Sequence, residues 1–392
     1  MTATARRWFI LPACLVMLLC IGTGQAWSVF VKYVQAAHHL SSMQSQLVFT
    51  TSTLTFCVWM IVAGRLHDHF GPRRVAFAGA AVLGLGYLTT YFLGHHFPFL
   101  WLGMGVLFGM GVATVYVCPI ATAIKWFPHH RGLLAGLTAA AFGVGPILVQ
   151  RITVPLLEKG WPVLQTIGLL GSIYVPVLLV LSLLLWTPAA QEVHRTRVQN
   201  FRRGTLVRDA RFWMLAAGML CGTFPYLLLI GNIRPIAASW QVGATAVAWA
   251  IPTLALGNAT GRIFWGAMLD RVGTRPAMWA AQTVAVVATV TVPWTSGCPA
   301  LFLVCLAGAG FCYGSNFAIY PGTIARVYGV ELLGSIYPWV MVAQGVSAFG
   351  PTGAGLLNDR THSFVPGLLL AAGVAVIGLV TGVILGRRQN EM

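Results

Sequence analysis

The chain has 392 residues, 57% of them hydrophobic and only 8% charged, with a mean hydropathy of +0.79; so few charges cannot cover a water-soluble surface. Twenty-four Lys and Arg against eight Asp and Glu give a formal net charge of +16, a balance that would suit nucleic acid only if the basic groups were clustered for it. They instead follow the apolar runs.

Runs apolar and long enough to cross a hydrocarbon core as helices are predicted at residues 8–31, 44–65, 74–95, 98–124, 132–157, 161–187, 211–233, 242–266, 275–295, 299–325, 333–357 and 363–386. The first is too long for the apolar part of a secretory leader and has no convincing small-residue cleavage site, so it is expected to remain as a spanning helix. Twelve spans make an all-α integral membrane protein. With the N-terminus assigned to the cytoplasm, 18 Lys and Arg fall on the inner side and four, Lys32, Lys159, Arg234 and Arg360, on the outer. This asymmetry is the positive-inside pattern. It predicts a multi-pass protein of the cell (plasma or inner) membrane with both termini cytoplasmic, and it explains the basic excess without nucleic acid. Among the eight cysteines no pair has CxxC spacing. Cys298, Cys305 and Cys312 recur every seven residues on one helical face, as packed soft side chains do. No metal or cofactor is expected.

Two arginines remain inside apolar runs. Arg262, read as about one helical turn before the charged segment Asp270–Arg275, has no carboxylate near it within its run. An arginine well inside a bilayer costs roughly 2.5–3.5 kcal/mol on insertion scales, so such a residue is a functional candidate by default, against the plainer reading of a side chain snorkelling to the headgroups. Arg151, in the outer third of the fifth run, is read as lining an outer vestibule or snorkelling. Lys32, at the outer end of the first, is an external gate or an interfacial anchor.

One internal offset recurs. Gly64, Asp68, Gly71 and Arg73 reappear 202 residues later as Gly266, Asp270, Gly273 and Arg275, and the same shift carries Pro119 to Pro321, Gly132 to Gly334 and Gly143 to Gly345. The chain therefore reads as two six-helix bundles in parallel orientation, residues 1–187 and 211–392, joined by an Arg-rich cytoplasmic linker at 188–210. Such repeats place a substrate site near the membrane midplane between the halves, the architecture of alternating access. The glycines of the repeated loop let helix ends approach closely. Asp68 and Asp270 are expected to pair with arginines or to cap a helix N-terminus, latching one state.

That repeated loop, Gly64-Arg65-Leu66-His67-Asp68-His69-Phe70-Gly71-Pro72-Arg73-Arg74, resembles the signature loop of the major facilitator superfamily, and the resemblance spans essentially the whole chain. Narrower motifs are similar to the monocarboxylate transporter and oxalate/formate antiporter families. They are Val115-Tyr116 with Lys125-Trp126-Phe127-Pro128-His129-His130-Arg131-Gly132-Leu133, and Gly261-Arg262-Ile263-Phe264-Trp265-Gly266. The resemblance implies that Arg262 binds a substrate carboxylate, which suits the bidentate geometry of a guanidinium. By position it also implies an aromatic cage of Phe30, Tyr116, Phe142, Tyr313 and Phe317. The oxalate pattern has a second cation, a lysine, where this chain has Gln344; one cation suits a monocarboxylate better than a dicarboxylate. Asn258 stands where proton-coupled relatives carry an aspartate.

All eight acidic residues, and all ten histidines, are predicted outside the helix centres, so no intramembrane proton relay of the usual kind is available. Exchange of anions needs none; proton-linked transport stays open. The leading expectation is a secondary transporter for small monocarboxylates of the lactate, pyruvate or formate type, with Arg262, Asn258, Tyr116, Tyr313 and Gln344 contacting the anion. The partners are then a small organic anion, the lipid bilayer, and a proton or a counter-anion. An oxalate/formate-like exchanger is the alternative. An exporter of neutral or cationic drugs and a non-transporting sensor rank lower, and no enzyme motif occurs in a plausible context.

Overall fold

The computed structural model describes residues 3–127, 131–186 and 206–388. The expected linker at 188–210 lies outside the described residues except for its last five, as do Pro128, His129 and His130. Every span is helical, and no strand occurs among the described residues. We number the spans α1–α12. α1 is Ala3–Ile21 and Ser28–His38, joined by a 3-10 turn at Gly22–Ala26; α2 is Ser42–Phe70 and α3 Pro72–Leu93. α4 is Phe97–Leu100 and Phe108–Trp126 around a π-helical stretch, Trp101–Leu107. α5 is Arg131–Glu158, α6 Val163–Ser182, α7 Ala210–Ser239, α8 Ala244–Val272, α9 Thr274–Thr291 and α10 Pro299–Tyr328. α11 is Val330–Ser347 and Phe349–Thr361, and α12 is Val365–Arg388.

Ten of these spans are long and apolar enough to cross a membrane, and Val365–Val380 adds a shorter apolar helix. The remaining span is α8, whose 29 residues are diluted by Asn258, Arg262, Asp270 and Arg271. The helices outrun the apolar cores. α2 starts under a capping box, with Ser41 Oγ accepting from Gln44 N at 3.1 Å and Gln44 Oε1 accepting from Ser41 N at 3.0 Å. α8 likewise runs on to Val272, which puts Arg262 about 15 Å inside the helix end. The single turn expected from the sequence was too short.

The duplication is visible in the backbone. Gly71 and Gly273, 202 residues apart, end α2 and α8 with φ of 78° and 83°, a region almost reserved for glycine. Both donate back to the helix: Gly71 N to His67 O at 2.9 Å, and Gly273 N to Leu269 O at 3.0 Å. Between the two groups of six, α1 touches α7, α2 runs along α11, and α5 runs along α8. The last two contacts are copies of each other. A Cβ on Gly143 of α5 would stand 3.2 Å from Asn258 Nδ2 of α8, and one on Gly345 of α11 would stand 3.1 Å from Leu54 and Cys57 of α2.

Packing inside each group is tightest where glycines replace side chains. α8 and α10 meet along Gly257, Gly261, Gly310 and Gly314. A Cβ on any of them would collide with a backbone carbonyl of the other helix: Ala307, Phe311, Leu254 and Asn258, respectively. In the first group, the glycine break of α1 packs on α5. A Cβ on Gly22 would collide with Phe142 O, and one on Gly145 would stand 2.7 Å from Leu19 O.

Candidate functional site between the two helix groups

Arg262 is 4% exposed, deep in α8. Its Nε donates to Asn258 Oδ1, one turn earlier, at 3.1 Å, and its Cζ stands 4.1 Å from the centre of the Phe317 ring of α10. Its two terminal nitrogens, Nη1 and Nη2, are buried without a hydrogen-bond partner. Asn258 Nδ2 lies near the Tyr226 hydroxyl without a hydrogen bond of good geometry. Among the described residues the ion pairs are Arg211–Asp209 at 4.0 Å and Arg326–Asp270 at 3.8 Å, both at exposed helix ends, so no carboxylate neutralises Arg262. A buried guanidinium with unmet donors is costly until an anion meets it. The glycine seam fixes its position: α8 and α10 touch backbone to backbone through Gly261 and Gly314, holding the Arg262 head over Phe317.

Around this head the structure gathers two aromatic groups. Tyr226 of α7 stacks on Tyr313 of α10 at 3.6 Å and 6°, and Tyr313 meets Phe317 edge-on at 5.1 Å. Gln344 of α11 donates from Nε2 to Tyr313 Oη at 2.9 Å, while its Oε1 has no partner. On the other side Phe56, Tyr116 and Phe142 form a triad: Tyr116 lies 5.5 Å from Phe56 and 5.1 Å from Phe142, both edge-on. Phe56, Tyr116, Phe317 and Tyr337 pack against one apolar cluster that includes Met60 and Trp265, and Phe142 adjoins Gly143, whose Cβ would stand 3.2 Å from Asn258 Nδ2.

Seven of the eight residues expected from the sequence thus share one region: Arg262, Asn258, Tyr116, Tyr313, Gln344, Phe142 and Phe317. Phe30 does not join them. It is buried in the first group, 6.2 Å from Trp27, beside a small space lined by Tyr87, Met104 and Phe108. Tyr226, Tyr337 and Phe56 were not expected. The repeat offset points to Phe56, since it pairs Asn258 with Phe56; for the two tyrosines the sequence holds no signal beyond aromaticity. Arg151 and Lys32 are both exposed.

The same offset shows that the two walls differ in kind. It pairs Arg262 with Met60, Asn258 with Phe56 and Gln344 with Phe142. One group presents a cation and two amides where the other presents a thioether and two phenyl rings.

The two faces also differ. The face carrying the α2–α3 and α8–α9 turns holds most of the basic residues. There Asp68 is exposed and makes no hydrogen bond or ion pair among the described residues, and a Cβ on Gly64 would meet nothing within 4 Å. In the second copy Asp270 pairs with Arg326 of its own group, Arg326 Nη2 donates to Leu269 O at 3.2 Å, and Arg275 stacks 4.8 Å over Trp279. At the opposite face the groups are joined. Ser42 N and Met43 N, at the start of α2, each donate at 3.0 Å to the Asp359 carboxylate of α11. Gln46 Nε2 donates to Gly231 O at 2.7 Å, Thr50 Oγ1 to Ala348 O at 2.5 Å, and Gln150 Nε2 to Ala248 O at 2.5 Å.

Residues 13–351 match the family model described as Major Facilitator Superfamily. The chain belongs to the major facilitator superfamily. It is therefore a multi-pass membrane transporter and not an enzyme. Among curated members, the chain is similar to the oxalate:formate antiporter of Oxalobacter formigenes, 27% identical over 98% of this chain and 94% of that one. It is also similar to apicoplast pyruvate carrier 1 of Toxoplasma gondii, 22% identical over 83% of this chain and 72% of that one. An MFS-type transporter of Escherichia coli (strain K12) is 24% identical over 87% of this chain and 86% of its own. Two of these superfamily members carry small carboxylates in their names, and both align across the stretch that contains Arg262.

Proposed function

We propose that the protein is a secondary transporter of small monocarboxylates, of the lactate, pyruvate or formate type, and that Arg262 binds the carboxylate. One observation carries this reading: a buried guanidinium, one turn from the Asn258 amide, whose Nη1 and Nη2 have no partner and which has no carboxylate near it among the described residues. A planar two-oxygen anion fits two parallel N–H donors. With the basic face taken as cytoplasmic by the positive-inside rule, this conformation is closed toward the outside, and among the described residues neither motif loop is bonded to the opposite helix group. Rocking about the site would open the outer face while Asp68 and Asp270 latch the inner one. The protein then belongs to the cell membrane with both termini in the cytoplasm.

The names of two relatives, an oxalate:formate antiporter and a pyruvate carrier, support a small carboxylate. Gln344, uncharged at the position of a second cation, favours one carboxylate over two. The absence of a described carboxylate beside Arg262 favours exchange of anions over proton symport, since a proton relay needs a titratable group in the site. The test is uptake of labelled lactate into proteoliposomes, empty or preloaded with unlabelled lactate, with and without an inward proton gradient. The expected outcome is saturable uptake that needs preloading, ignores pH and is lost in Arg262→Ala. Saturable uptake by Arg262→Ala at the wild-type half-saturation concentration would sink the site.

A further inference from the structure

Resting on the reading of Arg262 as the carboxylate's partner, a second set of unmet groups describes the rest of the substrate. Gln344 and Tyr313 are 3% and 1% exposed and held to each other by the 2.9 Å bond from Nε2 to Oη. Gln344 Oε1 is left without a donor, and the Tyr313 hydroxyl proton has no acceptor among the described residues. Turning the amide over does not remove the pattern. Tyr313 would then donate to Oε1, leaving the Nε2 hydrogens and the phenolic oxygen unmet. In either orientation the pair presents at least one unmet donor and one unmet acceptor.

Both residues are tied to the surroundings of Arg262, Gln344 by its bond to Tyr313 and Tyr313 by its contact with Phe317. Tyr313 is clamped between the stacked Tyr226 ring and the edge of Phe317, the ring on which Arg262 rests. The repeat-equivalent of Gln344 is Phe142, so the opposite wall offers no such pair. A hydroxyl group donates and accepts at once and satisfies both needs. A carbonyl oxygen only accepts, and an aliphatic hydrogen does neither, leaving buried polar groups unpaired.

We infer that the substrate is a short hydroxylated monocarboxylate, and that Tyr313 and Gln344 read its hydroxyl and set the preference over keto and unsubstituted acids of the same length.

The test uses the purified full-length transporter in proteoliposomes. Uptake of labelled lactate is competed with unlabelled lactate, 3-hydroxypropionate, pyruvate and propionate, three-carbon acids that differ in the oxygen they carry. In the wild type the better of the two hydroxy acids should compete at least about tenfold more strongly than pyruvate or propionate. Gln344→Leu should bring that ratio to about one. Tyr313→Phe, which keeps the ring stack, should lower it in the same direction and serves as the second variant if the first is misassembled. Equal competition by all four acids, or a hydroxyl preference that survives both substitutions, overturns the inference. If the acids compete, depend on Arg262, and show no hydroxyl preference, the carboxylate reading stands and only this inference falls. If none competes, or competition survives Arg262→Ala, both fall together.

Discussion

Arg262 is the residue on which the reading turns, and its behaviour on substitution follows from geometry. Arg262→Lys keeps a positive charge but loses the planar fork and the stack on Phe317. Lactate uptake should survive with a half-saturation concentration raised about tenfold or more. Asn258→Asp would place a carboxylate within reach of Arg262 Nε, where Asn258 Oδ1 now accepts at 3.1 Å. Ionised, it would neutralise the guanidinium and exclude the anion; protonated, it would release it. Uptake by Asn258→Asp should therefore rise as pH falls while the wild type stays flat, a difference measured by initial rates across a pH series. Arg262 was legible in the sequence because a charge inside an apolar run has few explanations. Tyr226 and Tyr337 were not, because an aromatic residue in a spanning helix has the same sequence signature whether it packs or faces a cavity. Phe30 was placed by positional match alone, and its ring lines the small space beside Tyr87 and Phe108 instead.

Among the helices, the α8–α10 seam holds the site together. Gly261→Ala would drive a methyl group into Phe311 O, a backbone atom that cannot move without shifting α10. Overpacking of this kind typically costs about 1–3 kcal/mol, so the purified variant should melt several degrees lower and transport poorly. Gly353→Ala is the control. Its Cβ meets nothing within 4 Å and its helix gains alanine's propensity, so its melting temperature should be unchanged or higher. The spans themselves were readable from apolar length, because a bilayer demands about twenty such residues per helix. Their ends were not, since α2, α8 and α10 continue through polar turns stabilised by caps and glycine stops, which hydropathy ignores. The interruption of α11 at Ala348 left no apolar gap to reveal it.

The molecule as a whole reads as a duplication whose halves differ at paired positions of the site, Arg262, Asn258 and Gln344 in one corresponding to Met60, Phe56 and Phe142 in the other. The offset of 202 residues exposed the parallel halves, and it pairs the α2–α11 contact with the α5–α8 contact. What it did not reveal is which face is joined, because the offset relates the two halves in the same way at both faces and carries no information on how closely the halves approach at either. The joint at the face opposite the basic loops depends on Asp359, which accepts from the first two amide groups of α2 and so adds the helix dipole to two hydrogen bonds. Asp359→Asn keeps the shape and loses the charge. It should shift the population toward the state open at that face. With the exposed Cys298 replaced by serine, a cysteine at Gln46 should then be labelled by a membrane-impermeant maleimide several-fold faster than in the Asp359 parent.

The glycine seam has a kinetic meaning as well. Arg262, Asn258, Tyr313 and Phe317 ride on two helices packed backbone to backbone, so these four should keep their mutual geometry whichever face is open. On the proposed reading, an anion held mainly by these four residues should have nearly the same affinity from either side, so the half-saturation concentrations for influx and efflux should nearly coincide. Such a carrier has no built-in direction. Whether it imports or exports is set by the ratio of anions across the membrane, and a cell that changes its metabolism would reverse the flow without altering the protein.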